Sequence, residues 1–453
     1  MLFGVAVFQS SSADDDSYKF NGMDLLHLKK YILGSGGLSE LQKVLYDFNF
    51  DGKYNGMDLL LMKKIILGID VPIVTATSGT ENTQTTTENM QITTKDDTMI
   101  TMIPSLLPNE YQKEQIARKY GMFIHYGLNT FTETEWTDGT LPVTTYNPTA
   151  IDVDSWVKTA YEAGMTYVLA LAKHHEGFCM WHTDTTNYSV KDSPKKDDVI
   201  KLYADACEKY GIKLALYYSI WDRHEPTYKS DFSGKYIDYM LTHFTELLDG
   251  RYGEIVELWF DGAWDKPRSE WQFERIYDHV KRLQPGCQIG INHTIGKDDN
   301  KTGMAFEGSG WPIPANHPYI PANYVENMSF RYYPSDFRLL DPFLPKKNDP
   351  KIYMFGGERY YTPFEVTLCI RGTRAMGPSD HYFPGQWFYS NDYPSKTLID
   401  KQYVADTYRY LVADDNLLVV NLPPDRNGKL IPGDVARLFE IADELGIRKT
   451  WNN

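Results

Sequence analysis

The sequence predicts an α/β chain: a large C-terminal (β/α)8-like barrel, preceded by a small all-α module and a polar tether. Three observations predict it. From about residue 103 onward, short β-rich runs alternate with longer helical patterns; before residue 70 a fourteen-residue block occurs twice; and a Thr-rich stretch nearly free of large apolar residues separates the two regions. The boundaries fall at 13–68, 69–102 and 103–453.

Composition supports folding and excludes several functions. With 42% hydrophobic and 24% charged residues, the 453-residue chain has ordinary globular usage, so wholesale disorder is excluded. Sixty-one acidic against 46 basic side chains give a net charge of -15, which repels nucleic acid and anionic lipid. No apolar run approaches the roughly 18 to 20 residues needed to span a bilayer, so a soluble protein is expected. Cys179, Cys207, Cys287 and Cys369 form no CxxC pair and read as small core residues. The 33 Tyr and 10 Trp suit a sugar cleft as well as a core.

Met1 to Phe8 is a short apolar stretch followed by Ser10, Ser11, Ser12 and Ala13, the pattern that ends a secretory signal, although a basic start is missing. The repeat comes next. Asn21–Gly34 recurs as Asn55–Gly68, differing only where His27, Leu28 and Tyr31 become Leu61, Met62 and Ile65. In each copy a polar loop runs into an amphipathic helix, with Leu25, Leu28 and Ile32, or Leu59, Met62 and Ile66, on one face. The second loop offers oxygen ligands from Asp47, Asn49, Asp51, the Lys53 carbonyl, Asn55 and Asp58, with Gly52 at the sharp turn. That is the spacing that turns alternate carboxylates and amides onto one calcium ion. In the first loop Ala13 replaces the first ligand and Tyr18 the glycine, leaving Asp15, Ser17, Asn21 and Asp24, so a weaker or irregular site is expected.

Paired calcium loops, each followed by one helix, resemble a type I dockerin over about residues 13 to 68. The resemblance implies bound calcium and a cohesin partner on a scaffold, met by Gly22, Met23, Lys29 and Lys30 or by their duplicates Gly56, Met57, Lys63 and Lys64. It also implies secretion, with attachment to a cellulosome or cell surface. From Thr75 to Thr98 the chain is rich in Thr, Ser, Asn, Gln and Glu, too polar to offset the entropy of ordering, and reads as a linker open to O-glycosylation.

In the large domain the pattern predicts strands at Met122 to Tyr126, Tyr167 to Lys173, Lys213 to Ser219, Ile255 to Phe260, Gln288 to Asn292 and Leu417 to Leu422. Helices are predicted at Val153 to Ala163, Asp198 to Tyr210, Lys235 to Asp249, Glu270 to Leu283 and Leu398 to Val412. In such barrels chemistry sits where strands end, and here four consecutive strands close on His125, on His174 and His175, on Tyr217 and Tyr218, and on Asp261. Packing alone does not explain that series. Adjacent strand residues face opposite sides, so His174 and His175 are not expected to be equally buried. A metal reading with Glu176 lacks a third ligand at fixed spacing.

The stretches GMFIHYGLNTFTETEW from Gly121, YVLALAKHHEGFCMW from Tyr167, LWFDGAW from Leu258, QWFY from Gln386 and NLLVVNLPP from Asn416 resemble glycoside hydrolase family 29, the α-L-fucosidases, in the family's order. The resemblance implies a retaining exo-α-L-fucosidase acting on fucosylated glycans without a catalytic cofactor. Asp261 is then the nucleophile, with Gly262 allowing close approach. The acid/base is Glu307, 307 − 261 = 46 residues downstream, or alternatively Glu358, with Glu135 a further possibility. Retention needs the two carboxyls about 5 to 5.5 Å apart. By the same resemblance His125, Glu135, Trp136, His174, His175, Tyr218 and Trp259 surround fucose, with Tyr217 assigned to the core. Trp259 or Trp387 would cover the C5 methyl. Glu365 is expected to anchor a loop.

Two departures matter. With 29 residues after Pro424, the β-sandwich that many relatives append is not expected here, and Trp311 to Pro350 matches no motif, so linkage preference stays open. Two rival functions stand beside the fucosidase: a catalytically silent fucose-binding protein, and a hydrolase of a related sugar such as galactose.

Overall fold

The computed structural model describes residues 99–296, 325–341, 349–373 and 385–452, all within the unit Lys95–Asn453. The repeated block with its ligands from Asp15 to Asp58, and Glu307, lie outside the described residues.

Eight parallel strands form the sheet, in the order β6-β5-β4-β3-β2-β1-β12-β9. They are β1 (Tyr120–Ile124), β2 (Tyr167–Lys173), β3 (Lys213–Ser219), β4 (Ile255–Asp261), β5 (Gln288–Asn292), β6 (Phe337–Leu339), β9 (Glu365–Cys369) and β12 (Leu417–Asn421). Two antiparallel pairs stand outside it: β7 (Ile352–Phe355) with β8 (Glu358–Tyr361), and β10 (Arg371–Gly372) with β11 (Thr397–Leu398). The last seam, between β6 and β9, is bridged by Arg338 and Phe364, with the Arg338 amide donating to the Pro363 carbonyl at 2.8 Å. A barrel results, nearly closed.

Helices α1 (Glu110–Arg118), α2 (Val153–Glu162), α3 (Val199–Tyr210), α4 (Ile237–Leu248), α5 (Phe273–Leu283), α6 (Lys401–Ala413) and α7 (Pro432–Leu445) connect or follow the strands. Their starts are written locally. Asp152, Asp198 and Asp400 accept hydrogen bonds from the backbone N–H groups of Ser155, Lys201 and Tyr403, and Asn109 with Gln112 forms a capping box on α1. With helices outside and side chains inside, β1, β2, β4, β5, β9 and β12 are buried along their whole length.

The predicted strands and helices appear within a few residues of their expected limits, and β1 begins two residues earlier, leaving His125 just past its end. Eight of these elements had no sequence assignment: helices α1 and α7, barrel strands β6 and β9, and the short strands β7, β8, β10 and β11 outside the sheet. The main body also begins before residue 103, since the Ile100 amide donates to Asp278, Thr101 meets the Tyr333 hydroxyl and Met102 is buried. All four cysteines are free and buried.

One end of the barrel is closed by a polar plug. Glu257, inward on β4, accepts from Arg118 at 2.7 Å and Gln115 at 3.3 Å, and Tyr167 donates to Glu365 at 2.7 Å. Glu365 therefore anchors β9 itself rather than a loop.

Candidate active site

The site lies at the C-terminal ends of the strands, on the face opposite that plug. Asp261 ends β4 and is 9% exposed. Its Oδ2 accepts from the Tyr217 hydroxyl at 2.8 Å, and its Oδ1 from the Gly262 amide at 2.9 Å and from Asn292 Nδ2 at 3.1 Å. Asn292 is itself oriented, because its Oδ1 accepts from the backbone amides of His293 and Asp341. Burial is the largest influence and leaves the Asp261 carboxyl above its usual range, against the pull of Asn292, Tyr217, the field of His174 and the Gly262 amide. Three donors on one carboxylate favour the ionised form that a nucleophile needs.

Gly262 has a different reason from the one expected. Its φ is +84°, and a Cβ there would lie 2.4 Å from the Trp221 Cβ, so Trp221 rather than a ligand demands glycine.

Tyr217 and Tyr218 exchange their expected places. Tyr217 pairs in register with Trp259 and Ser219 with Asp261, so odd-numbered residues of β3 share the inner side with Asp261. Tyr218 points outward, where its hydroxyl meets His243 Nδ1 at 2.7 Å and the Lys173 ammonium lies over its ring. Tyr218 is thus a packing residue and Tyr217 a site residue.

His174 and His175 are both buried, at 3% and 1% exposure, against the alternation expected of a strand. The register shifts between Leu171 and Lys173, and the pair follows the last strand residue, so neither obeys the pleat. Their rings lie 4.3 Å apart, and His174 stacks on Tyr217 at 5.6 Å and 17°.

Two of the three site histidines have a fixed tautomer. Ser219 spends its only hydroxyl proton on the Trp221 carbonyl at 2.7 Å, so His175 Nδ1, 2.7 Å from the same oxygen, must be the donor. The Asn421 amide donates to the Trp387 carbonyl at 3.0 Å, so its oxygen accepts from His125 Nδ1 at 2.8 Å. In each neutral ring Nε2 is left as an acceptor, and His175 Nε2 stands 3.6 Å from Asp261 Oδ2, beyond hydrogen-bond length. Burial, reinforced by neighbouring positive charge, pushes both His125 and His175 well below the usual imidazole range, so they stay neutral. His174 Nδ1 sits between Asn129 Nδ2 at 3.2 Å and Glu176 Oε2 at 3.3 Å, which is the role Glu176 takes.

Around these groups stands an aromatic wall. Trp387 lies 5.1 Å from the His125 ring, and Trp136 packs edge-on against His175 at 5.0 Å and Trp221 at 5.8 Å. Trp259 is 2% exposed and stacks on Tyr217 at 5.4 Å, in the layer beneath Asp261. Glu135 is half-buried and accepts from Trp136 Nε1 at 3.0 Å. Burial is the first cause of its raised carboxyl, with Asp261 adding to it.

Glu358 is not brought to this group. It is exposed, pairs with Phe355 at the turn of the β7–β8 hairpin outside the barrel sheet, and is absent from the bonds around Asp261. Residues with no sequence assignment enter the site instead: Asn292 bonds Asp261 and is tied to Asp341, Asn421 bonds His125, and Asn129 bonds His174 and Glu176. Asn292 and Asn421 each end a strand, where a polar residue closing an apolar run is the available signal; Asn129 lies in a turn of the loop after β1, and Asp341 follows a strand of three residues, so neither gives one.

Residues 89–336 match the family model for alpha-L-fucosidase, and residues 15–67 match the dockerin type I domain. The chain is 29% identical over 346 residues to alpha-L-fucosidase 1 of Arabidopsis thaliana, covering 74% of this chain and 60% of that one. It is 32% identical over 155 residues to the tissue alpha-L-fucosidase of Rattus norvegicus, covering 32% and 33%. A solved glycoside hydrolase 29 family member from an unknown rumen bacterium superposes with a TM-score of 0.55 at 28% identity, over 75% of this chain and 57% of that one. The alpha-L-fucosidase isoenzyme 1 from Paenibacillus thiaminolyticus shares the fold, with a TM-score of 0.54 at 23% identity over 74% of this chain and 76% of that one. The chain thus spans about 60% of the length of the Arabidopsis relative.

Proposed function

The chain belongs to the alpha-L-fucosidase family, glycoside hydrolase family 29, and from that premise we propose that it is a retaining exo-α-L-fucosidase removing terminal fucosyl groups from glycans. The observation that carries this reading is Asp261, a carboxylate at the C-terminal end of a barrel strand, held by Tyr217, Asn292 and the Gly262 amide and facing the same side as His175. In the proposed reaction Asp261 attacks the anomeric carbon while Glu307, protonated, gives its proton to the departing glycosidic oxygen. Water then enters with Glu307 as base, and the glycosyl ester breaks. The acceptor nitrogens of His125 and His175 suit fucose hydroxyls as donors, and Trp136 and Trp387 supply apolar cover for the ring.

The dockerin match supports tethering of this activity to a cohesin-bearing scaffold outside the cell. The donors Asp47, Asn49, Asp51, Asn55 and Asp58 with the Lys53 carbonyl fit a calcium ion, whereas the first loop, without an acidic residue at 13, offers a poorer set. Calcium there would supply folding energy to the module and takes no part in the hydrolysis.

The test is hydrolysis of an aryl α-L-fucoside by the full chain and by Asp261→Gly and Glu307→Ala variants. Both substitutions are expected to lower kcat at least about a thousandfold, and azide is expected to rescue Asp261→Gly with an inverted fucosyl azide product. Wild-type protein that binds L-fucose yet leaves the aryl fucoside intact would instead be a silent binding protein. Faster turnover of the aryl α-galactoside would reassign the sugar.

A further inference from the structure

Resting on the reading that the pocket takes a terminal fucosyl group, we propose that Asp341 is a further substrate-contacting residue, closing the pocket wall opposite His174 and His175 and donating a hydrogen bond to a sugar oxygen. The argument begins with topology. Counted either way round the ring, β6-β5-β4-β3-β2 or β6-β9-β12-β1-β2, the end of β6 stands four strands from the end of β2. Asp261 on β4 and Asn421 on β12 occupy the two quarters between them. A pyranose bound over Asp261 and within reach of the β2 histidines therefore turns its far edge toward β6. Asp341, two residues beyond Leu339 and half-buried, is the carboxyl on that side.

Its backbone and one oxygen are already committed. The Asp341 amide donates to Asn292 Oδ1 at 3.0 Å, which ties it to the side chain that holds Asp261. The Thr367 hydroxyl, from β9 across the closing seam, donates to Oδ1 at 2.7 Å. Oδ2 has no hydrogen-bond partner among the described residues. The titratable groups whose fields reach this carboxyl are Asp261 from β4 and Glu135 from the loop after β1, and its own field reaches Cys369 on β9. Burial, with Asp261 and Glu135 adding to it, pushes Asp341 well above the usual carboxylate range against the pull of Thr367. Neutral, it presents Oδ1 as an occupied acceptor and Oδ2–H as a donor, and it adds no charge beside the nucleophile.

The experiment compares the full chain with Asp341→Ala and Asp341→Asn, using aryl α-L-fucoside kinetics and calorimetric binding of L-fucose across pH. Asp341→Ala is expected to lose about 30- to 100-fold in kcat/KM, mostly through KM, and Asp341→Asn, whose amide still donates, to recover at least about tenfold of that loss. Wild-type affinity for the uncharged sugar is expected to fall as pH rises through the Asp341 ionisation, whereas Asp341→Asn stays flat over the same range. The proposal is overturned if Asp341→Ala stays within about threefold of wild type, if Asn is as damaging as Ala, or if both proteins share one pH profile. Should the alanine variant fail to fold, the pH comparison with Asp341→Asn decides alone. Wild-type protein that neither binds L-fucose nor turns over the fucoside would sink the fucosidase reading and this inference together; normal wild-type behaviour with unaltered variants sinks the inference only.

Discussion

The Tyr217 hydroxyl donates to Asp261 Oδ2 at 2.8 Å, while its neighbour Tyr218 turns to the opposite side of the same strand and bonds His243. One residue of phase therefore separates a group that bonds Asp261 from one that only packs.

This gives a paired prediction. Tyr217→Phe removes a hydrogen bond to a charged oxygen, worth about 1.5 to 3 kcal/mol, and is expected to lower kcat about 10- to 100-fold with little loss of stability. Tyr218→Phe leaves His243 short of a partner and is expected to cost about 1 kcal/mol of stability while kcat stays within about twofold. Steady-state kinetics and urea melts on the two variants check it; equal kinetic effects would contradict the assignment.

Asn421 should act through His125. With the amide replaced in Asn421→Leu, His125 loses the acceptor that fixes Nδ1–H, and the ring can present either nitrogen to a substrate hydroxyl. The expected result is a loss of about 10-fold in kcat/KM, the order of one hydrogen bond, together with a change in the Nδ1 and Nε2 chemical shifts. Unchanged imidazole shifts would mean that the tautomer is held by something else.

Stability should fall on the acid side. His125, His175 and His243 are buried and their folded pKa values are pushed down, chiefly by burial. As pH drops below about 6.5 the unfolded chain takes up protons that the folded chain refuses, so the stabilisation is full above that pH and is lost progressively below it. His243 lies outside the candidate site, between Tyr218 and Thr185. Denaturant melts from pH 7.5 to 5 should therefore show a shallower acid slope for His243→Gln than for wild type.

Glu365 carries the opposite sign. Burial first, and then the charge of Glu257, push its carboxyl well above the usual range. The unfolded chain releases this proton near pH 4.3 and the folded chain holds it longer, so stability declines as pH rises from about 4.3 toward the folded value. Glu365→Gln, neutral at every pH and still able to meet Tyr167, is expected to remove that decline and to be at least as stable as wild type at pH 7. A destabilised Gln variant with the same pH slope would argue against a neutral Glu365.

Calcium should matter to attachment alone. Chelation is expected to abolish binding to a cohesin while aryl fucoside turnover by the same full chain changes by less than about twofold, because the ligands from Asp47 to Asp58 belong to a separate module. Loss of turnover on chelation would place a metal in the hydrolytic domain.

The sequence by itself determined the barrel, the strand ends that bear chemistry and the prominence of Asp261, because apolar runs of five to seven residues followed by polar ones are written locally. It also held the repeat and its calcium spacing, which depend on neighbours in the chain. Only tertiary structure decided which tyrosine faces inward: a period of two fixes parity within a strand, but its phase is set by register against β4, as Tyr217 beside Trp259 shows. The irregularity after Leu171, which turns both histidines inward, is likewise a property of the paired sheet. Asp341 entered the site the same way. A three-residue strand has no legible periodicity, and only closure of β6 against β9 carries that carboxyl to Thr367 and to the far side of the pocket from His174.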